Sequence, residues 1–163
     1  KLGDAALVLA YLQGKLALDV KTLAATAGAL HQPAPRVALG LALRGIASSA
    51  IDVSDGLLGD LGHILERSGV AAEIRFAALP LSPSLRPYLA QEIGRRCALA
   101  GGDDYELCFT VPAARHAEVE SVSARLGLPL TCIGNIAAGK GCTLRAADGS
   151  VMTIKESGYD HFA

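Results

Sequence analysis

Asp52, Ser54 and Asp55 place two carboxylates and a hydroxyl within four residues, inside Ser48-Ser-Ala-Ile-Asp-Val-Ser-Asp-Gly-Leu57. Two such carboxylates are hard oxygen donors suited to Mg2+, which binds a few carboxylates together with waters and phosphate oxygens. The hydroxyl between them can reach a phosphate. Gly101-Gly-Asp-Asp-Tyr-Glu106 is a second acidic loop. Its paired glycines let the backbone approach a ligand closely. Each group also has a plainer reading. Ser54 or Asp55 can simply cap a helix, and Asp103-Asp104 can be an ordinary acidic turn before a strand. Capping leaves Asp52 without a task.

Other pairs carry less. Asp60 and His63 are three apart on a predicted helix, at metal-binding spacing, but with no third ligand nearby they read as a solvated face. Asp160-His161 reads as part of a tail pinned to the body. Gly134-Asn-Ile-Ala-Ala-Gly-Lys-Gly141 echoes a phosphate loop but lacks the Gly-Lys-Ser/Thr ending and a following helix, so it is read as a hairpin. There is no Gly-x-Ser-x-Gly and no Cys–His nucleophile context.

The elements that must position these residues follow from periodicity. Ala50, Ile51 and Val53 make a short buried strand. Leu57, Leu58, Leu61, Ile64 and Leu65 draw one stripe along a helix. The chemistry of Asp52–Asp55 therefore falls at a strand-to-helix junction, where amide groups and the helix dipole favour anions. Three helical segments precede it, near residues 4–14, 19–30 and 36–44, the first capped by Asp4. After it come a strand at 72–76, a helix at 85–98, and a strand after the acidic loop with Tyr105, Leu107 and Phe109 inward. A helix at 113–126, with His116, Glu118, Glu120 and Arg125 on its wet side, leads to a strand at 130–136 and a terminal hairpin around Ala147-Asp148-Gly149. This order predicts an α+β fold, helices layered on a mixed sheet with a ferredoxin-like split β-α-β core. A doubly wound parallel sheet is the alternative.

Composition narrows the function. The chain has 163 residues, 51% of them hydrophobic, with a net charge of −1. That suffices for one domain with a substantial core, and argues against a broad nucleic-acid or acidic-membrane surface. No apolar run approaches the roughly 18 residues needed to span a bilayer, and no secretory pattern opens the chain. Cys97, Cys108, Cys132 and Cys142 form no Cys-x-x-Cys pair and read as buried, reduced thiols, which fits a cytoplasmic protein. The opening Lys1-Leu-Gly-Asp4 lacks an initiator Met, and the expectation is a fragment of a longer protein.

Three separated motifs, Ala50-Ile-Asp-Val-Ser-Asp-Gly-Leu57 with Asp60-Leu-Gly-His-Ile64, Gly101-Gly-Asp-Asp-Tyr-Glu-Leu107 and Gly158-Tyr-Asp-His-Phe162, resemble the thiamine-monophosphate kinases. Leu79-Pro-Leu-Ser82 and Thr131-Cys-Ile-Gly134 strengthen the match. The resemblance spans the chain but only the C-terminal half of such an enzyme. Its superfamily includes aminoimidazole ribonucleotide synthetase, whose C-terminal domain the fold should share. The resemblance implies ATP-dependent phosphorylation of thiamine monophosphate to thiamine diphosphate, in a cytoplasmic homodimer held mainly by the N-terminal domain. It implies Asp52 and Asp55 as Mg2+ ligands, Ser54 on ATP, and Asp103 and Tyr159 on the substrate. No catalytic nucleophile is implied, since positioning and charge neutralisation dominate phosphoryl transfer. The family commonly carries Glu at the position of Asp103. The competing readings are a superfamily enzyme with carbamoyl or selenide chemistry, and a non-catalytic ligand-binding domain.

Overall fold

The computed structural model describes residues 1–153. The fold is α+β, as predicted, with the described strands divided between two sheets. Strand β1 (Ser49–Val53) pairs antiparallel with β3 (Glu106–Thr110), so that Asp52 faces Leu107 and Val53 faces Glu106. The second sheet is mixed, in the order β4 (Gly134–Ala137), β2 (Ala71–Arg75), β5 (Gly141–Arg145), β6 (Val151–Met152). β4 and β6 run antiparallel to their neighbours, whereas β2 and β5 are parallel.

The segment between β4 and β5 is therefore not a hairpin connection. β2 lies between the two strands, with Ala71 opposite both Ala137 and Gly141. Residues 138–140 cross the start of β2, where a Cβ on Gly139 would sit 3.5 Å from the Ala71 methyl. The predicted turn before β6 does form: Asp148 accepts from the Ser150 amide at 2.9 Å, and Gly149 takes φ +84°.

Helix α4 (Leu57–Ser68) joins β1 to β2. Leu57, Leu61, Ile64 and Leu65 are buried as the stripe requires, each contributing about 1.5–3 kcal/mol by leaving water. Gly69 ends the helix with φ +63°, its amide bonded to the Glu66 carbonyl and that of Val70 to Leu65. Around this helix the main core gathers Leu7 of α1 (Asp4–Leu12), Val53, Ile74, Leu85, Leu99 and Leu144.

A smaller core joins Leu39 of α3 (Val37–Ala42) to Val122 of α6 (His116–Leu126), with Leu107 and Phe109 packed against it. His116, Glu118, Glu120 and Arg125 of α6 are exposed, as predicted. Helix α2 (Val20–His31) is capped by Asp19, which accepts from the Thr22 amide at 2.8 Å.

The helix predicted over 85–98 is two pieces, a 3-10 turn at Arg86–Ala90 and α5 (Glu92–Ala100), broken at the extended Gln91. The pieces fold onto each other because Gly94 has no Cβ; one would lie 2.1 Å from the Tyr88 carbonyl oxygen. Arg95 then donates to the Leu89 and Ala90 carbonyls. The four cysteines are free thiols, but only Cys97 is buried; Cys132 and Cys142 are exposed. Among the described residues no helix is long and apolar enough to cross a membrane.

Candidate functional site

The two acidic motifs meet at one end of the β1–β3 ladder. Beyond the last paired residues, the Tyr105 amide donates to the Val53 carbonyl at 2.8 Å and the Asp103 amide to the Ser54 carbonyl at 2.9 Å. The glycines permit this approach. A Cβ on Gly102 would stand 2.5 Å from the Ser54 oxygen, and one on Gly101 2.4 Å from the Ala6 methyl. Asp103 and Tyr105 both adopt the left-handed region, at φ 66° and 47°. Such a conformation costs a non-glycine residue about 1–3 kcal/mol and gathers at functional sites.

The junction itself resolves the capping question. The N-cap of α4 is Gly56, at φ +103°, and no side chain caps the helix. The amides of Ser54 and Asp55 instead donate to Asp60 Oδ2, at 3.0 Å each. Asp60 is 3% exposed, so the expectation of a solvated face fails for it and holds for His63, which is exposed. Burial pushes the Asp60 carboxyl above its ordinary range, the two amide bonds oppose this, and the charges of Asp55 and Asp52 add to it.

Tyr105 reports the shape of the space between the motifs. It precedes β3 and is 41% exposed, not turned into the core with Leu107 and Phe109. The charge of Asp103 raises its phenol pKa most, followed by desolvation and a hydrogen bond from the phenol to Asp103 Oδ1 at 3.4 Å. Asp52 and Asp55 add further. The three carboxylates thus act on one hydroxyl from two chain segments. A cavity of about 420 Å³ opens beside Asp52 and Tyr105, lined also by Arg36 and walled by Pro33, Pro35, Val37, Gly40 and Leu107.

Arg36 is held there by Glu106. Its Nε and one terminal nitrogen donate to the two carboxylate oxygens at 2.7 and 2.8 Å. Burial opposes ionisation of Glu106, but the two bonds from Arg36 overcome it and hold the carboxyl below its ordinary range. Behind the loop, Asp104 accepts the Gly3 amide with both oxygens, at 2.8 and 2.9 Å. Burial pushes Asp104 up to about 8. Asp4, predicted as the cap of α1, is buried and accepts from Ser82 Oγ at 2.5 Å instead. No side chain caps α1; Asp104 instead holds the amide of its N-cap residue, Gly3, from across the fold.

Of the predicted site residues, Asp52, Ser54, Asp55 and Asp103 fall together, while Tyr159 lies outside the described residues. Sequence reasoning missed Tyr105, Arg36 and the buried role of Asp60. Asp60 carried a signal, since it stands three residues after Leu57 and four before Ile64, on the margin of the apolar stripe. Among the described residues no three His, Cys, Asp or Glu converge into a complete metal cage. Mg2+ commonly keeps waters and phosphate oxygens and takes one or two carboxylates, so an all-oxygen pair such as Asp52 and Asp55 fits it.

Known proteins resemble the chain along nearly its whole length. The chain is 44% identical over 162 residues to the thiamine-monophosphate kinase of Escherichia coli strain K12, covering 99% of this chain and 50% of that protein. It superposes on the crystal structure of thiamine-monophosphate kinase from Stenotrophomonas maltophilia K279a with a TM-score of 0.80 at 46% identity, over 93% of this chain and 49% of the other. AaThiL complexed with AMPPCP and TMP matches with a TM-score of 0.75 at 30% identity, over 99% of this chain and 49% of that one. The chain thus spans about half the length of the relatives it matches. Residues 10–147 match the family described as AIR synthase related protein, C-terminal domain, and the chain belongs to that family.

Proposed function

We propose that this chain is the C-terminal domain of a two-domain kinase that transfers the γ-phosphoryl group of ATP to thiamine monophosphate, yielding thiamine diphosphate. The observation that carries the reading is the meeting of the two acidic motifs, where the Asp103 amide bonds the Ser54 carbonyl and the Tyr105 amide that of Val53, beside a cavity lined by Asp52 and Tyr105. The similarity of the whole chain to thiamine-monophosphate kinases supports it.

In this reading Asp52 and Asp55 hold Mg2+, Ser54 bonds a phosphate of ATP, and Asp103 and Tyr159 contact the thiamine moiety. When bound, Mg2+ neutralises the triphosphate charge, the main need of phosphoryl transfer. The chain's own residues position and hold charge; none is required as a nucleophile. Asp103 faces a cationic thiazolium ring, which a carboxylate and an aromatic ring both attract. The remaining metal and nucleotide contacts come from an N-terminal domain, through which the protein forms a cytoplasmic homodimer.

The test is turnover of thiamine monophosphate with ATP and Mg2+. The intact protein should be active, the 163-residue chain inactive, and Asp52→Asn or Asp55→Asn in the intact protein should lower kcat at least a hundredfold, roughly the loss of one electrostatic contact in the transition state. Robust turnover by the chain alone refutes the shared site.

A further inference from the structure

Asp60 takes no part in the ligand set proposed above, yet it is the most enclosed carboxylate beside it, at 3% exposure. One of its oxygens receives two successive amides, those of Ser54 and Asp55, at 3.0 Å each. Its own amide donates to the Gly56 carbonyl at 3.0 Å, closing residues 54–60 into a ring.

This arrangement has a directional consequence. With the two amides turned inward, the carbonyl of Ser54 is presented to the Asp103 amide, beside that of Val53 and the Tyr105 amide, at 2.9 and 2.8 Å. One buried oxygen therefore sets the attitude of the metal-ligand turn and, through that turn, of the substrate loop. The close approach of Gly56 to α5, where a Cβ would lie 2.6 Å from the Ala100 backbone, leaves the ring no freedom to shift sideways.

Charge adds to geometry. The charges of Asp55 and Asp52 act unfavourably on the enclosed Asp60 carboxyl. A divalent cation held by these ligands would offset that charge, so the Asp60 carboxylate would favour the loaded state without touching the ion. We propose that Asp60 is a positioning residue for the divalent cation, orienting the Ser54–Asp55 turn and raising cation affinity from behind its ligands. This rests on the metal site proposed above. Carboxylates placed in this way on other metal sites change affinity by about 10–100-fold.

The experiment titrates Mn2+ into the intact protein in the presence of AMPPCP, reading the bound ion by electron paramagnetic resonance. Asp60→Asn keeps a carbonyl oxygen for the two amides and removes the charge. Its melting temperature should stay near wild type while Mn2+ binds about tenfold more weakly; Asp60→Ala should weaken it further. In the unaltered protein, residue-resolved hydrogen exchange should find the Ser54 and Asp55 amides protected, a measurement independent of any variant's folding. Rapid exchange of both amides overturns the proposal. Wild-type affinity in Asp60→Asn, alongside lost binding in Asp52→Asn, overturns the role of Asp60 alone. Unchanged affinity in both variants overturns the metal site beneath it.

Discussion

Asp104 makes the sharpest stability prediction. Burial raises its carboxyl to about 8 from the ordinary 3.8; the Gly3 amide bond pulls it down, and the charges of Asp4 and Glu106 add to the rise. A carboxyl that holds its proton more tightly when folded stabilises the fold most at low pH. That contribution declines as pH climbs from about 4 to about 8, and is level above, where both states are ionised. Within the window the slope is about 1.4 kcal/mol per pH unit, so roughly 3 kcal/mol disappears between pH 5 and pH 7. Asp104→Asn matches the neutral acid in shape and keeps an oxygen for the Gly3 amide, but does not titrate. Urea denaturation of both proteins at steps from pH 5 to 9 isolates the effect, because every other titrating group is common to them. The wild type should lose stability relative to the variant by about 3 kcal/mol from pH 5 to 7 and by nothing further above about pH 8.5. A difference that stays flat from pH 5 to 8 would refute the assignment of a buried, protonated Asp104.

Two further outcomes follow from the same geometry. Gly102→Ala places a methyl against the Ser54 carbonyl, 2.5 Å away; backbone must give, so the variant should lose about 1–3 kcal/mol, read as a lower urea midpoint, with a raised KM for thiamine monophosphate. Glu106 is held below its usual 4.5. A lowered folded pKa gives stability that is complete above about 4.5 and lost as pH falls toward 2. Glu106→Gln should cost about 1.5–3 kcal/mol at pH 6 through the lost charge-assisted bonds to Arg36, and much less at pH 2.5. Thermal melts at the two pH values check it; an equal cost at both contradicts the ion pair.

How much of this could be read from residue order depends on the range of the interactions. The leucine stripe of α4, its Gly69 stop, the Asp19 cap and the hairpin turn at Asp148-Gly149 are local: each is decided within a few residues, where spacing translates directly into geometry. The strand–helix junction that carries Asp52, Ser54 and Asp55 was legible for the same reason. The broken helix at Gln91 was not, because the cause is contact between Gly94 and Tyr88 across a fold-back, and propensity counts residues without seeing that approach. The segment after β4 looked like a hairpin because its turn chemistry is correct for one; the insertion of β2 between the two strands is a long-range pairing that no turn residue records.

The sequence by itself determined the acidic residues, the glycines that let the two loops touch, and the class of chemistry that oxygen donors at a strand end can perform. Tertiary structure decided which of those acids face solvent and which are enclosed. Asp103 and Asp104 are adjacent and identical in type, yet one bonds the Tyr105 phenol at the open site and the other grips the Gly3 amide behind it. Successive residues differ only in the direction the backbone gives them, and that direction was set by partners some fifty to a hundred positions away, at Ser54 and Gly3.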